Sequence, residues 1–139
     1  MKVKKLFPVI RTIKERFSVR TYIKRPLTGK LVSELDMYVR ELNQTHGPFQ
    51  TSASISFASA YFGNEPVGTY GMIKNASEYF IGVSKNDFEH LVDFGYIFEK
   101  LILFATSRGL GTCWMSGTFD RKDFTSRLQL DEMEYIPAI

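Results

Sequence analysis

A chain of 139 residues with 44% hydrophobic and 14% aromatic content can bury roughly two thirds of its unfolded surface, enough for one cooperative domain over residues 1–139. Its 18 basic and 15 acidic residues leave a net charge of +3 spread along the chain, which argues against the dense basic stripe of a nucleic-acid surface. A single cysteine excludes an internal disulfide, and every apolar run is interrupted by charge before it reaches membrane-spanning length, so a cytoplasmic protein with no membrane partner is expected.

The opening MKVKKLFPVIRTIKERF begins like a signal peptide, but its apolar run breaks at Arg11 and no small-residue cleavage pattern follows. Phe7, Ile10 and Ile13 recur at helical spacing with Pro8 in a first turn, predicting a short helix to about Glu15. Arg16 to Tyr22 carries no helical stripe and runs toward Pro26, which predicts an extended segment on a surface cleft. Thr28 then caps a helix whose inward stripe is Leu31, Leu35, Tyr38 or Val39, and Leu42, ending at His46-Gly47-Pro48. Ile55 and Phe57 alternate with serines, and Tyr79 to Val83 is a compact β-rich run, so each reads as a strand. Between them, Gly63-Asn64-Glu65-Pro66 and Gly68-Thr69-Tyr70-Gly71 read as turns in one long connection.

Asn86 followed by Glu89 has the spacing of a capping box and opens a helix from about Asp87 to Arg108, roughly 33 Å long at about 1.5 Å per residue. Phe94, Ile97, Phe98, Leu101, Ile102, Phe104 and Ala105 make that helix apolar almost all round, so it is expected to form the centre of the core. Gly109 suits a left-handed cap, while Gly111 and Gly117 remove side chains where backbone must approach something closely. Thr112 to Met115 reads as a strand, Asp120 as the cap of a helix with Phe124 and Leu128 inward, and Tyr135-Ile136 as the start of a further strand. The predicted class is α+β: a mixed sheet flanked by helices, with a long buried helix at its centre.

Three places could carry chemistry. Arg16, Ser18 and Arg20 alternate, so an extended segment presents two guanidinium groups and a hydroxyl on one side. Arginine meets phosphate oxygens with paired hydrogen bonds, which suits a phosphorylated ligand, although the same pattern also serves as solvated basic surface. Met115-Ser116-Gly117 could offer backbone N–H groups to an acceptor on a ring, or be a simple strand-ending turn. Gly109-Leu110-Gly111-Thr112 follows a helix and precedes a strand, the reverse of a dinucleotide fingerprint. His46 and His90 have no acidic or cysteine partner at ligand spacing, so no metal is expected, and Cys113 within an apolar strand reads as a small hydrophobe.

Taken together, R-F-S-V-R-T-Y at Arg16 to Tyr22, Y-G-M-I-K-N-A at Tyr70 to Ala76 and GLGTCWMSGTFDR at Gly109 to Arg121 resemble the nitroreductase superfamily of flavin enzymes, most closely its "putative nitroreductase" group. The resemblance covers most of the chain. It implies an α+β fold that binds FMN, often across a homodimer interface, and passes reducing equivalents from NAD(P)H to a small-molecule electron acceptor such as a nitroaromatic or quinone. It also implies cofactor contacts from Arg16, Phe17, Ser18 and Arg20 to the phosphate and ribityl chain, from Tyr70 and Gly71 to the pyrimidine side, and from Met115, Ser116 and Gly117 along the ring. No catalytic side chain is required, because the flavin carries the chemistry. Two positions depart from the family pattern: Phe17 replaces a polar or basic residue and Ser116 an acidic one. Family members also continue past the strand begun at Tyr135, so the chain is expected to lack their C-terminal portion. An alternative use of the same fold is a flavin-binding or interaction module without turnover.

Overall fold

Local chemistry accounts for most element boundaries in the computed structural model, which describes residues 7–59, 61–62, 65–66, 71–117 and 119–139. Helix α1 (Val9–Glu15) follows Pro8, and its buried residue is Thr12, whose hydroxyl donates to the Pro8 carbonyl at 2.9 Å. Ile10 and Ile13 are exposed, so the expected stripe is not the inward face. Only Phe7 reaches the interior, edge-on to Phe104 at 6.2 Å. A helix of two turns can rest on its neighbour by one side only, and here Thr12 occupies that side.

Helix α2 (Gly29–Leu42) opens where Thr28 accepts from the Leu31 N–H at 3.3 Å, and it buries Leu35, Val39 and Leu42. It ends before His46-Gly47-Pro48, because Asn43 takes over as the cap and binds strand β1 (Ser54–Ser59). The Asn43 amide accepts from Ile55 N–H at 2.7 Å and donates to Ile55 O at 2.9 Å, acting as a short piece of strand edge. The long helix α3 (Phe88–Ser107) is capped by Asp87, one residue later than expected from Asn86. Asp87 accepts from the His90 N–H at 3.0 Å, the bond that chiefly holds its carboxyl below the ordinary aspartate range.

Strand β1 pairs antiparallel with β4 (Glu78–Lys85), placing Phe57 opposite Phe80, and β4 pairs antiparallel with β5 (Glu134–Tyr135). A separate antiparallel hairpin, β2 (Tyr61–Phe62) with β3 (Glu65–Pro66), occupies part of the connection read as loop. The Gly63-Asn64 turn and Gly68 to Tyr70 lie outside the described residues. The class is α+β as expected, but among the described residues the strand pairs are antiparallel, and parallel alignment is confined to two isolated bridges, Ser18 with Thr112 and Thr21 with Lys74. Thr112 to Met115 is extended without forming a full strand. Met115 exchanges both backbone hydrogen bonds with Ile139 at 2.9 Å, so residues 134–139 are threaded between β4 and this stretch.

Both faces of β4 are covered, which is why its Ile81 to Ser84 run is buried without alternation. Ile81 and Val83 pack with Met115, Phe119, Ile136 and Phe124 of helix α4 (Arg121–Leu128). On the other side Gly82 backs onto α3, where an added Cβ would lie 2.1 Å from the Phe94 ring. The expected core residues of α3, Phe94 to Ala105, are buried within this one chain. The buried side of the helix carries one charge: Asp93 is fully buried and accepts from Phe49 N–H at 2.9 Å, Thr51 N–H at 2.8 Å and the Thr51 hydroxyl at 2.7 Å. Burial by itself would raise the Asp93 pKa, but these donors outweigh it and the carboxyl sits below the ordinary range. Gly47 makes room for it, since a Cβ there would stand 2.3 Å from Asp93 Cγ.

Candidate functional site

The segment from Arg16 to Tyr22 is held as an extended edge by backbone bonds at two points. Val19 N–H donates to Thr112 O at 2.9 Å, while Lys74 N–H donates to Arg20 O at 2.8 Å and Tyr22 N–H to Lys74 O at 2.9 Å. The three parts of the chain that carry the sequence motifs are therefore joined directly. The glycines at the end of α3 permit this: Gly109 has φ of +80°, a left-handed conformation that side chains resist, and a Cβ on Gly111 would lie 2.9 Å from Val19.

Beside the segment lies a cleft of about 870 Å³, within the span of small-molecule and cofactor sites. It wraps the N-terminal end of β4 and so meets both of its faces, touching Phe80 with Phe57, Leu35 and Ile102 on one side and Tyr79 with Ile73 and Met115 on the other. The wall is mainly apolar, with polar atoms from Arg16, Tyr22, Thr112 and Cys113 and with Glu15, Arg25 and Glu78 also among its lining. Arg16 is the notable one. Its Nε donates to Thr112 Oγ1 at 3.3 Å, whereas its Nη2 is sealed from solvent and has no hydrogen-bond partner, the only such buried atom among the described residues. A half-satisfied guanidinium is costly unless something anionic completes it.

The sequence-derived residues fall into three groups. Arg16, Phe17 and Met115 line the cleft. Ser18 and Arg20 are exposed on the same segment outside that lining, which instead takes Phe17, Val19 and Thr21 from it. The expected one-sided grouping of Arg16, Ser18 and Arg20 is therefore not formed: Arg16 is drawn to Thr112 while the other two face away from the cleft. Gly71, with φ of +73°, Ser116 and Gly117 lie in exposed turns, and Tyr70 lies outside the described residues. Ser116 donates its hydroxyl to Pro137 O at 3.0 Å, while a Cβ on Gly117 would meet nothing within 4 Å, so that turn keeps open space before it. Arg121 braces the same region by donating from Nε to Ile136 O at 2.9 Å and from Nη2 to Pro137 O at 3.3 Å.

Sequence reasoning did not single out Tyr22, Tyr79 or Thr112 as site residues. Tyr22 closes the R-F-S-V-R-T-Y motif, so the motif pointed to its neighbourhood without giving it a role. Tyr79 and Thr112 carried no signal beyond strand character, and Cys113, read as core, is half-buried on the cleft wall. Among the described residues no helix is long and apolar enough to cross a membrane.

The family described as "Putative TM nitroreductase" matches residues 8–139. No curated protein matches the sequence. Solved structures share the fold at low identity. A nitroreductase family protein from Clostridium novyi NT is 17% identical with a TM-score of 0.68, the match covering 94% of this chain and 80% of that one. A protein of Bacteroides thetaiotaomicron VPI-5482 named "Putative NADH dehydrogenase/NAD(P)H nitroreductase" is 18% identical with a TM-score of 0.70, covering 94% and 82%. An oxidoreductase described as containing FMN is 15% identical with a TM-score of 0.71, covering 99% and 76%. With the family match running over nearly all of the chain, through all three motifs that the fold draws together, the protein belongs to the "Putative TM nitroreductase" family.

Proposed function

We propose that the protein is an FMN-dependent oxidoreductase that passes reducing equivalents from NAD(P)H to a small-molecule acceptor such as a nitroaromatic or quinone. The observation that carries this reading is the buried, unpartnered Nη2 of Arg16 on the wall of an apolar cleft large enough for a cofactor. Family membership and the fold shared with an FMN-containing oxidoreductase support it.

In this reading Arg16 holds the FMN phosphate, and Ser18 and Arg20 reach it from the exposed side of the same segment. Thr112 orients the Arg16 guanidinium through its hydroxyl. The apolar walls exclude water from a flat ring, and Met115, Ser116 and Gly117 run along it, with the bare Cα of Gly117 allowing close approach. Bound FMN would supply the hydride and electron transfer, so no protein nucleophile is needed. A homodimer belongs to the same proposal, since Ile10 and Ile13 on α1 and the neighbouring Phe17 leave apolar side chains exposed beside the segment.

The test is a flavin titration followed by an NAD(P)H oxidation assay with and without a quinone. A stoichiometric yellow complex with flavin-dependent oxidation is the expected result. Failure to bind FMN at micromolar concentration would end the proposal, and tight binding without oxidation would favour the module without turnover.

A further inference from the structure

Between Glu15 and Glu34 the chain carries five basic residues and no acidic one, and the proposed flavin site uses only Arg16 and Arg20 of them. The other three, Lys24, Arg25 and Lys30, are exposed around the start of α2. Arg25 is the one that lines the cleft, on an edge formed with Pro26, Leu27, Thr28 and Leu31. None of these residues belongs to the stretches, Arg16 to Arg20 and Met115 to Gly117, along which the flavin is placed. The Arg25 backbone is pinned on both sides: its N–H donates to Ile23 O at 2.8 Å, and Pro26 restricts it to extended conformations. Nearby carboxylates do not neutralise it. Glu15 and Glu78, which line the cleft, are engaged by Arg11 at 2.7 Å and by the Ser77 hydroxyl. Glu34, the next acid along the chain, pairs with Arg108 at 2.8 Å. Among the described residues the side chains of Lys24, Arg25 and Lys30 make no ion pair.

Unpaired cations at the edge of a cleft turn a positive potential toward an incoming anion, and a guanidinium meets phosphate oxygens with paired hydrogen bonds. NADH and NADPH differ by one phosphate on the adenosine ribose, a group that a nearby arginine accommodates where dinucleotides are bound. We propose that Arg25 selects NADPH over NADH by meeting that 2′-phosphate at the cleft edge, with Lys24 and Lys30 adding charge around it. The inference rests on the oxidoreductase reading in taking the phosphate to be that of the reductant; recognition of the 2′-phosphate belongs to the side chains of this edge.

The experiment titrates 2′,5′-ADP and 5′-AMP, which differ by that one phosphate, into the full chain with and without FMN at one fixed ionic strength. The wild type should prefer 2′,5′-ADP, and Arg25→Ala should lower the ratio of the two affinities about tenfold, the loss of one charge-assisted contact. Affinity for 5′-AMP should be unchanged, which also shows that the variant is folded. Arg25→Lys should keep part of the preference, since it retains the charge without the paired geometry. Lys122→Ala, which removes an exposed positive charge from α4, should leave the ratio as it is. No binding of 2′,5′-ADP or no preference for it in the wild type, an unchanged ratio in Arg25→Ala, or an equal fall in Lys122→Ala overturns the proposal. Arg25→Ala protein that loses FMN affinity while keeping the nucleotide ratio would assign Arg25 to the flavin phosphate instead. Oxidation of NADPH and NADH by FMN-loaded protein keeps the two ideas apart. Flavin-dependent oxidation with equal kcat/KM for both sinks selection by Arg25 and leaves the oxidoreductase reading. Oxidation of neither, with the preference for 2′,5′-ADP retained, removes that reading and leaves the phosphate site standing.

Discussion

Replacing Arg16 by alanine should separate ligand affinity from fold stability. In the cofactor-free protein Arg16 contributes one long bond to Thr112 and carries one unsatisfied buried nitrogen, two effects of opposite sign. The variant's melting temperature without FMN should therefore stay close to that of the wild type, a change within about 1 kcal/mol. Binding should respond differently. Loss of a charge-assisted contact to phosphate costs about 2 kcal/mol, or about thirtyfold in the dissociation constant. At FMN one hundred times the wild-type constant, an arbitrary working ratio of about 100, binding stabilises the wild type by about 2.7 kcal/mol and the variant by about 0.9 kcal/mol. Unfolding entropy of about 2.1 cal/mol/K per residue gives about 0.29 kcal/mol/K for a chain of 139 residues. FMN should then raise the melting temperature by about 9 °C in the wild type and about 3 °C in Arg16→Ala. The assay is a thermal melt with and without FMN at one fixed concentration. Equal FMN-induced shifts in the two proteins would refute the assignment of Arg16 to the phosphate. A large fall in the cofactor-free melt would show instead that Arg16 is chiefly structural.

Gly82→Ala tests the close contact between sheet and long helix. Its Cβ would meet the Phe94 ring, which stacks on Phe98 at 5.0 Å and meets Trp114 edge-on at 6.4 Å. Overpacking of about 1–3 kcal/mol should lower the melting temperature by about 3–10 °C, with a changed near-ultraviolet signal from Trp114; a melt like that of the wild type would show that the ring can move aside. The Asp93 carboxyl lies below its ordinary range in the fold, so its stabilising effect is complete above the unfolded value near 3.8 and is lost as pH falls through the lower folded value. Wild-type stability should accordingly drop in acid, whereas Asp93→Asn should be less stable at neutral pH and lose less on acidification. Urea melts across that window check it, and parallel acid curves for the two proteins would sink it.

Much of the fold was legible in the order of residues because its causes are local. Thr28 capping α2, the apolar run from Phe94 to Ala105 and the β-rich character of Tyr79 to Val83 each state their structure within a few positions. The motifs from Arg16, Tyr70 and Gly109 likewise pointed to one family before any packing was known. What the chain order could not state were relations between distant segments. Residues 134–139 thread beside β4 and bond to Met115, a pairing that depends on two stretches meeting. The buried charge of Asp93 is tolerable only because the turn at Gly47 to Thr51 brings three donors to it. Ile10 and Ile13 have the spacing of a core stripe, yet α1 turns its Thr12 side inward and leaves both exposed, since one short helix cannot choose its own face. For the site, alternation along Arg16 to Arg20 grouped three residues that the fold separates, because the contact of Arg16 with Thr112 takes it to the cleft without Ser18 and Arg20. Sequence by itself determined the elements and the family; packing alone brought Arg16, Tyr22, Tyr79 and Thr112 to one cleft, because proximity between residues far apart in the chain is a property of the folded core.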